Sequence, residues 1–391
     1  MKVITDEKLI EEALSRGVEE VIEKDHLKKA MLSGRQLRIK LGIDPTSPDI
    51  HLGHLVVLLK LRQFERLGHK LVLIIGDFTA KIGDPSGRSE TRKPLTDAEI
   101  KKNFKKYKDQ ISKILNLRKA EICYNGKWFK KGGIKIMIEL ASSASLQQVL
   151  RRADFSKRIE EGNDVTMLEA IYPLFQGYDS VAVSADVELG GTDQKFNLLM
   201  GRRIQRFYNR PEQDVLMTPL LEGTDGVRKM SKSYGNYIGV DEEPNEMFAK
   251  VMSVPDALLK KYFELLTDLD FPENQPLYEA KLVLAQNIVT LCHNAKAGEA
   301  ARENFKKVFS KKEIPEDAPE LILKEREISA VDLILLSGVA ESRGEAKRLI
   351  EQGALEVGGR VERDVHSVLL PQNGDPVRIG KKYFARIKAP E

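Results

Sequence analysis

Hydrophobic and polar residues alternate strictly from Leu37 to Ile43, which predicts a β-strand. A turn rich in Pro, Asp and Ser follows over residues 44–49, and apolar residues at helical spacing then predict a helix from His51 to Leu67. Residues 71–75 are continuously apolar, as expected of a strand buried on both faces. This strand–helix–strand order is a βαβ unit, so the pattern predicts an α/β fold with a doubly wound parallel sheet.

The pattern after this unit is mostly helical, and residues 95–170 have exposed faces that are rich in lysine. A further strand is predicted near Val181–Leu189, and it leads through Gly190-Gly191 into a helical pattern over Gln194–Arg206. Residues 242–309 have the spacing of amphipathic helices. The second strand–turn–helix step is consistent with the doubly wound sheet.

A polar stretch with two prolines at 311–319 predicts a linker. After it, helices are predicted at Ala330–Leu336 and Ser342–Gln352, with short strands around Ala354–Val357 and Asp375–Ile387, as in a small α+β domain. We therefore divide the chain into a Rossmann-like domain with a helical insertion (1–225), a loop (226–240), an α-helical domain (241–312), a linker (313–326) and a small α+β domain (327–391).

Composition adds limits on compartment and partners. The chain has 391 residues, which suits two or three domains, and a formal net charge of +4, which permits an anionic partner without requiring one. Cys123 and Cys292 form no CxxC pair, so we expect neither a disulfide nor a zinc cluster and infer a reducing compartment. The segment Met1–Glu20 is charged rather than apolar, and no apolar run reaches the length of a membrane span. We therefore expect a cytoplasmic protein without a membrane partner.

Two histidines stand at the start of the first predicted helix. His51 and His54 are three residues apart and share a face near a helix N-terminus, where unpaired N–H groups attract phosphate. Gly53 would let a flat base or a ribose approach the backbone, and Thr46 adds a hydroxyl donor. Alone this HxGH pattern occurs often by chance, and a zinc site is disfavoured because no further ligands cluster nearby. The preceding strand-to-helix turn, Gly42–Thr46, favours the phosphate site.

A second phosphate-binding pattern lies in the loop at 226–240. Lys229 and Lys232 are three residues apart, separated by small groups and flanked by glycines, which is typical of a mobile loop. Two such ammonium groups can hold a polyphosphate as point charges. A KxxK pattern alone usually marks a solvated surface, but the pentapeptide Lys229–Ser233 is much more specific.

These two motifs together resemble the paired signature of class I aminoacyl-tRNA synthetases. His51-Leu52-Gly53-His54 follows Gly42-Ile43-Asp44-Pro45-Thr46, and Lys229-Met230-Ser231-Lys232-Ser233 lies downstream. The region between them resembles the tyrosyl enzymes of this class, on the segments Gly83–Gly87, Tyr172–Asp179 and Gly190–Gln194. The C-terminal unit resembles a small RNA-binding domain shared with a ribosomal protein.

The resemblance implies a function and a set of partners. L-tyrosine would react with ATP to give tyrosyl-adenylate and pyrophosphate, and the tyrosine would then pass to the 3′ end of tRNA(Tyr). Mg²⁺ would arrive with ATP, and neither a tightly bound metal nor an organic cofactor is expected. The segment 1–225 would be the catalytic domain, 241–312 an anticodon-side domain and 327–391 the RNA-binding domain. A homodimer, formed through the helical stretch in the middle of the first half, is also implied.

The amino-acid side chain would be selected on one helix face. Tyr172, Gln176 and Asp179 are spaced i, i+4 and i+7, with Pro173 near the predicted helix start. A buried carboxylate at Asp179 would accept a hydrogen bond from a phenol, and phenylalanine would leave that acceptor buried and unpaired. The alternative is a helix that turns this polar face toward solvent.

The resemblance also assigns roles to individual residues. Transition-state stabilisation is implied for His51, His54, Thr46, Lys229 and Lys232. ATP binding is implied for His51, Gly53, His54, Gly191, Asp193, Lys229 and Lys232. Contact with tyrosine is implied for Thr79, Asp84, Tyr172, Gln176, Asp179 and Gln194. Contact near the pyrophosphate is implied for Arg88 and Arg92.

The C-terminal unit carries candidate contacts to tRNA. Basic side chains share one predicted helix or cluster near the chain end, and a basic patch suits an RNA backbone, although a generic solvated surface explains such charges as often. The candidates are Arg343, Lys347, Arg348, Lys381 and Lys382.

One departure concerns the phenol site. In one branch of the family a Tyr-Cys pair precedes the GxDPT turn, and that tyrosine shares the phenol hydroxyl. Here the two positions are Lys40 and Leu41. Either Asp179 acts without that partner or another residue replaces it.

Three rival functions follow from the same motifs. A tryptophanyl-tRNA synthetase is disfavoured by the Tyr/Gln/Asp helix and by the appended unit. A small HxGH nucleotidyltransferase would be shorter and would lack the second motif. A non-catalytic RNA-binding protein on a decayed synthetase fold would have broken motifs, whereas both histidines and both lysines are intact here.

Overall fold

The structure, a computed structural model, describes residues 2–46, 49–86, 95–310, 318–323, 325–380 and 383–390. The chain folds into two compact units, Met1–Glu299 and Ala300–Glu391. Within the described ranges, no helix combines the length and the apolar character that a membrane crossing requires. The cytoplasmic location expected from the sequence stays a prediction.

The first unit contains one large sheet and most of the helices. Its strands are β1 (Glu20–Ile22), β2 (Arg38–Ile43), β3 (Lys70–Ile75), β4 (Glu121–Tyr124), β5 (Val187–Gly191) and β6 (Asp214–Thr218). Its helices are α1 (Glu7–Ala13), α2 (Lys24–Leu32), α3 (Leu52–Arg66), α4 (Asp97–Ser112), α5 (Gly126–Ser143), α6 (Leu146–Leu150), α7 (Ala153–Glu160), α8 (Met167–Ala182), α9 (Lys195–Phe207), α10 (Pro244–Met252), α11 (Leu259–Leu266) and α12 (Leu277–Cys292), while α13 (Ala295–Ser310) crosses the unit boundary.

The six strands pair in the order β1-β6-β5-β2-β3-β4. All neighbours are parallel except β1, which pairs antiparallel with β6 at the edge. After β1 at this edge, the chain enters the middle of the sheet with β2, runs outward through β3 and β4, and returns to the other side of β2 through β5 and β6. This order confirms the doubly wound prediction, and its switch point lies between β2 and β5, where such folds bind ligands beyond the carboxyl ends of the strands.

Helix α8 carries the predicted recognition face and packs closely on α9. Its first turn is closed by a capping box, in which Thr166 Oγ1 accepts from Glu169 N and Glu169 accepts from Thr166 N. A Cβ at Gly177 would lie 2.8 Å from Ile204 Cγ1 and 3.1 Å from the backbone oxygen of Met200, so glycine lets α8 approach α9 this closely. Apolar side chains of α5, α8 and α9 form a common core, with Phe129, Ile136, Leu140, Leu174, Phe175, Met200 and Ile204.

Two details of this region differ from the prediction. Helix α8 begins at Met167, so Pro173 lies inside the helix rather than near its start. The predicted strand near Val181–Leu189 is shorter, because α8 continues to Ala182 and β5 begins at Val187. A short apolar run is compatible with either a strand or the last turn of a buried helix, and here the packing of α8 extends the helix.

The second unit is a small α+β fold, as predicted. Its elements are β7 (Glu320–Ile322), β8 (Ile328–Ser329), α14 (Ala330–Leu336), α15 (Arg343–Glu351), β9 (Leu355–Val357), β10 (Arg360–Glu362), β11 (Val368–Leu369), β12 (Pro376–Ile379) and β13 (Tyr383–Lys388). Five strands pair in the order β10-β9-β12-β13-β7, and β11 pairs with β8. Strand β7 falls inside the predicted linker, part of which lies outside the described residues. The five-segment division therefore stays a proposal.

Candidate active site

A cleft of about 760 Å³ opens at the carboxyl ends of β2 and β5. Its walls come from the turn after β2, the start of α3, helix α8, the turn after β5 and the second motif. The structure thus brings most of the predicted site residues to one place, namely Thr46, His51, Gly53, His54, Thr79, Asp84, Tyr172, Gln176, Asp179, Gly191, Asp193, Gln194 and Lys229.

The first motif occupies the N-terminus of α3. His51 is the N-cap residue, and its backbone N–H donates to His54 Nδ1 at 3.3 Å, so the two rings lie side by side with centroids 3.9 Å apart. His51 Nδ1 is buried and has no hydrogen-bond partner within the described part of the chain. A Cβ at Gly53 would lie 3.0 Å from the His51 ring, so glycine keeps this surface open. The arrangement leaves an imidazole nitrogen available for a bound group.

Both imidazoles are neutral over the ordinary pH range. Burial lowers the pKa of His51 to about 2, with further lowering by the nearby His54, Lys232 and Lys229. Burial and the positive charge of Lys232 lower the pKa of His54 to about 4. The two histidines therefore offer neutral hydrogen bonds to a phosphate, while the formal positive charge comes from the lysines.

Both lysine ammonium groups of the second motif form ion pairs with carboxylates. Lys229 Nζ lies 2.9 Å from Asp193 Oδ2, and Lys232 Nζ lies 2.6 Å from Asp49 Oδ2. Lys232 is the one predicted catalytic residue whose side chain is not among those that line the cleft, because Asp49 holds it at the rim. A triphosphate that enters the cleft would compete with both carboxylates for the lysines.

The buried side chain of Asn236 organises the backbone of the second motif. Its Oδ1 accepts from Ser231 N at 2.8 Å, and its Nδ2 donates to the carbonyl oxygens of Arg228 and Lys229, each at 3.2 Å. Gly235 has a φ of +65°, which favours glycine and permits the turn after the short helix Lys232–Tyr234. The spacing of the two lysines is therefore set by a fixed local framework.

The amino-acid end of the cleft is built around Asp179, which is only 4% exposed. Its Oδ1 accepts from Trp128 Nε1 at 2.9 Å, and its Oδ2 accepts from Asn125 Nδ2 at 3.3 Å. Burial raises the pKa of Asp179 to about 7, against the opposing effects of Lys40 and of these two hydrogen bonds. A carboxylate in this setting gains from one more hydrogen-bond donor.

Asp44 connects Asp179 to the rest of the recognition face. Tyr172 OH donates to Asp44 Oδ2 at 2.8 Å, and Thr79 Oγ1 donates to Asp44 Oδ1 at 2.6 Å. Asn125 Nδ2 donates to Thr79 Oγ1 as well, at 2.9 Å. These bonds tie the ends of β2, β3 and β4 to α8 through one polar chain.

A second polar cluster holds Asp84. Gln194 Nε2 donates to Asp84 Oδ2 at 2.6 Å, and Asn197 Nδ2 donates to Asp84 Oδ1 at 3.2 Å. The buried guanidinium of Arg152 supports this cluster by donating to Asn197 Oδ1 and to Ser86 Oγ.

The pKa of the Tyr172 phenol is raised well above its usual value by burial and by the negative charges of Asp44, Asp84 and Asp179. Three carboxylates therefore surround Tyr172, and their field favours a cationic ligand group.

Nothing in the sequence pattern singled out Asn125, Trp128, Arg152 or Asn197. Trp128 is the single tryptophan of the chain, and Asn125 directly follows a strand at the carboxyl edge of the sheet, so both carried a usable signal. Arg88, Arg92, Lys381 and Lys382 lie outside the described residues. Arg343, Lys347 and Arg348 are exposed on α15, and Arg343 pairs with Asp332 at 2.8 Å.

Within the parts of the chain that the structure describes, no group of three or more His, Cys, Asp or Glu side chains is arranged to hold a metal ion.

Comparison with known proteins defines the class. Residues 32–310 match the family model for class I tRNA synthetases of the W and Y type, and residues 331–372 match the S4 domain. The structure is similar to a mitochondrial tyrosyl-tRNA synthetase of Aspergillus nidulans, with a TM-score of 0.66 and 22% identity over 77% of this chain and 94% of that chain. A tyrosyl-tRNA synthetase of Archaeoglobus fulgidus complexed with L-tyrosine has a TM-score of 0.63 and 20% identity, over 76% and 99%. The fold is that of a class I tRNA synthetase.

Curated relatives narrow the family. The tyrosine–tRNA ligase of Aquifex aeolicus is 47% identical over 96% of this chain and 97% of its own length. That of Thermotoga maritima is 46% identical over 97% of both. The chain therefore belongs to the tyrosine–tRNA ligase family of class I synthetases.

We expect that neither His51 nor His54 binds a proton between about pH 5 and 8, because their pKa values are about 2 and about 4. As pH falls below about 6.5, the unfolded chain takes up these protons and the folded chain does not, so both groups reduce the free energy of unfolding progressively down to their folded pKa values. The measurement is an NMR titration of the imidazole Cε1–H resonances, assigned with His51→Asn and His54→Asn. The denatured protein is the control, since all six histidines should titrate there. A midpoint near 6.5 for either residue in the folded protein contradicts the expectation.

Proposed function

We propose that this chain activates L-tyrosine with ATP, releasing pyrophosphate, and then transfers the tyrosine to the 3′ end of tRNA(Tyr). The observation that carries the proposal is the shared cleft, which is lined by the first motif, by Lys229 of the second motif and by the buried Asp179. Relatives named tyrosine–tRNA ligase over nearly the whole length support the same activity.

Tyrosine would be recognised at two points, namely its phenol hydroxyl and its α-ammonium group. We assign the phenol hydroxyl to Asp179, because a carboxylate that already accepts from Trp128 and Asn125 has a free direction toward the cleft. The α-ammonium group fits the carboxylate-rich region around Tyr172, with Gln176, Thr79 and Asp84 as further contacts. Phenylalanine would leave the buried carboxylate without its donor, which costs about 1–3 kcal/mol or more for a charged group.

The first chemical step would take place where the amino-acid end and the nucleotide end of the cleft meet. A carboxylate oxygen of tyrosine attacks the α-phosphorus of ATP, and the bond to the β-phosphate oxygen breaks as pyrophosphate leaves. Gln194 would orient the attacking carboxylate, while Gly191 and Asp193 would contact the ribose. His51, His54 and Thr46 would donate hydrogen bonds as charge develops, and Lys229 and Lys232 would neutralise the leaving pyrophosphate. Mg²⁺ would enter as part of the ATP complex.

The second step would use the tRNA. Its terminal ribose hydroxyl attacks the carbonyl carbon of tyrosyl-adenylate, and AMP leaves. We assign tRNA contact to the second unit because residues 331–372 match the S4 domain and because α15 presents exposed basic side chains. Arg343, Lys347 and Arg348 are the candidates that the structure describes, while Lys381, Lys382 and the pyrophosphate-side Arg88 and Arg92 remain sequence-based proposals.

We also propose a homodimer formed through α5. The helix is interrupted at Gly133, whose φ is +50°, and the part that follows exposes Ile134 by 79% and Ile138 by 66% on the same face. Exposed apolar groups at i, i+4 spacing are typical of a protein–protein interface. Sedimentation equilibrium at micromolar concentration should give twice the chain mass, and Ile138→Glu should shift the protein toward monomer. A wild-type monomer contradicts the proposal.

Tyrosine should support ATP–pyrophosphate exchange far better than phenylalanine, because phenylalanine has no donor for Asp179, and tryptophan, whose indole N–H sits on a ring of different size and shape, should not support it. The assay measures radioactive pyrophosphate incorporated into ATP, followed by charging of tRNA(Tyr) with labelled tyrosine. Exchange driven by tryptophan alone would transfer the assignment to the tryptophan branch of the class. Absence of exchange with every amino acid would favour the non-catalytic alternative.

Lys232→Ala should lower the kcat of exchange by about 100-fold, because it removes one charged donor that acts on the transition state. The KM for tyrosine should change by less than about twofold, since the lysine lies at the rim of the cleft. Lys106→Ala is the matched control, because Lys106 Nζ also faces Asp49, at 3.8 Å, but is not part of the second motif. Equal losses in both variants, or a parallel loss of tyrosine affinity in Lys232→Ala, would contradict the assigned role.

A further inference from the structure

An ion pair with almost no solvent exposure lies beneath the recognition helix. Lys40 of β2 is 0% exposed and Glu188 of β5 is 1% exposed, and Lys40 Nζ lies 2.8 Å from Glu188 Oε1. The two residues are register partners across the parallel β2–β5 pair, at the switch point of the sheet. Neither side chain is among those that line the cleft.

Both members of the pair bind the same turn of α8. Lys40 Nζ donates to Gln176 O at 2.9 Å and to Ser180 Oγ at 2.7 Å. Glu188 accepts from Gln176 Nε2 at 3.2 Å, from Ser180 Oγ at 3.1 Å and from Gln213 Nε2. The bonded residues of α8 flank Asp179, so the pair fixes the segment that presents this carboxylate.

Such a pair is a poor means of gaining stability alone. Removal of two charges from water carries a large desolvation cost, and apolar residues of similar volume often stabilise a core as well or better. Directional bonds to one helical turn give something that apolar packing does not, namely a fixed orientation. This contrast indicates a role in recognition for Lys40 and Glu188.

We propose that Lys40 is a specificity-determining positioning residue for tyrosine, because with Glu188 it fixes the Gln176–Ser180 turn and its positive charge keeps Asp179 a hydrogen-bond acceptor for the phenol. This inference rests on the proposed function. It also answers the departure at residue 40, since the position assigned to a phenol-binding tyrosine in one branch holds here a residue that acts through Asp179 rather than on the ligand.

The charges around Asp179 explain why a cation is needed. Burial, together with the negative charge of Asp44, raises the pKa of Asp179 to about 7 against the opposing effects of Lys40, Asn125 and Trp128, of which that of Lys40 is the largest. Asn125 and Trp128, on the side of β4 and α5, contribute neutral donors. The charged and titratable groups on the surrounding elements are Lys40 and Asp44 after or on β2, Asp84 after β3, Tyr172 on α8 and Glu188 on β5.

Lys40→Met should raise the pKa of Asp179, because an isosteric apolar chain removes the cation while burial persists. The acid limb of kcat/KM for tyrosine should therefore move to higher pH, and a shift of one unit from about 7 lowers kcat/KM at pH 7 by about fivefold. The KM for ATP should change by less than about twofold, and the kcat/KM for phenylalanine should fall less than that for tyrosine. The readout is ATP–pyrophosphate exchange across pH 6 to 9, with both amino acids.

Two further variants separate this role from folding. Lys40→Met combined with Glu188→Gln removes both charges and keeps an amide that bonds to α8, so it should restore thermal stability without restoring the ratio of tyrosine to phenylalanine activation. Lys60→Met is the matched control, because Lys60 is another buried lysine of the same unit, 4% exposed and bonded to Ala13 O and Arg16 O away from the cleft. It should lower stability and leave the pH profile and the amino-acid ratio unchanged.

The outcomes distinguish the inference from the function on which it rests. A wild-type protein that does not activate tyrosine removes the proposed function before any variant is compared. An active wild type, with Lys40→Met or the double variant unchanged in pH profile and in amino-acid ratio, overturns the role of Lys40. A parallel fall of every kinetic constant in Lys40→Met, with the pH profile and the amino-acid ratio unchanged as expected for Lys60→Met, also overturns it.

Discussion

Parallel pairing of β2 with β5 is the constraint on which the site depends. The chain departs from this pair in opposite directions, outward to β3 and β4 on one side and to β6 on the other. The connections after the two strands therefore cannot close over the sheet, and a crevice stays open at their carboxyl ends. The first motif follows β2, the Gly191–Gln194 turn follows β5, and α8 covers the pair from one face. The crevice therefore receives side chains from the connections after both strands and from α8.

Opposite charges divide the crevice into two halves. In the amino-acid half, Asp44, Asp84 and Asp179 surround the phenol of Tyr172. The nucleotide half contains the neutral imidazoles and the two lysines of the motifs. This local separation is invisible in the small net charge of the chain. With the proposed site roles, a zwitterionic amino acid and an anionic nucleotide would take distinct places, and the reacting carboxylate would meet the α-phosphate where the halves join.

Much of the fold and of the site was accessible from the sequence, for identifiable reasons. Strict alternation around Lys40, a continuous apolar run at β3 and helical spacing in α3 are strong signals, and the structure has these elements at the predicted places. The motif residues converge because they follow parallel strands. The predicted strand near Val181–Leu189 begins before the observed β5, because a short apolar run does not distinguish a strand from the end of a buried helix.

The partners of the predicted residues were harder to find. Asn125 and Trp128 donate to Asp179, and Asn197 and Arg152 support Asp84 and Ser86, from segments that no local sequence pattern connects with these residues. Lys40 was noticed only as a departure from a family pattern, and its connection to Glu188 required the register of β2 and β5. Hydrophobic periodicity predicts helices and strands, whereas the hydrogen-bond partners of a site residue depend on how those helices and strands pack.

Gly177 links the positions of two helices that each contribute to the cleft. Because α8 approaches α9 there and shares one apolar core with it, a displacement of the helix that carries Tyr172, Gln176 and Asp179 would also displace the helix that begins beside Gln194. A side chain at residue 177, which does not itself line the cleft, would therefore disturb the hydrogen bonds of Asp179 and of Asp84 together.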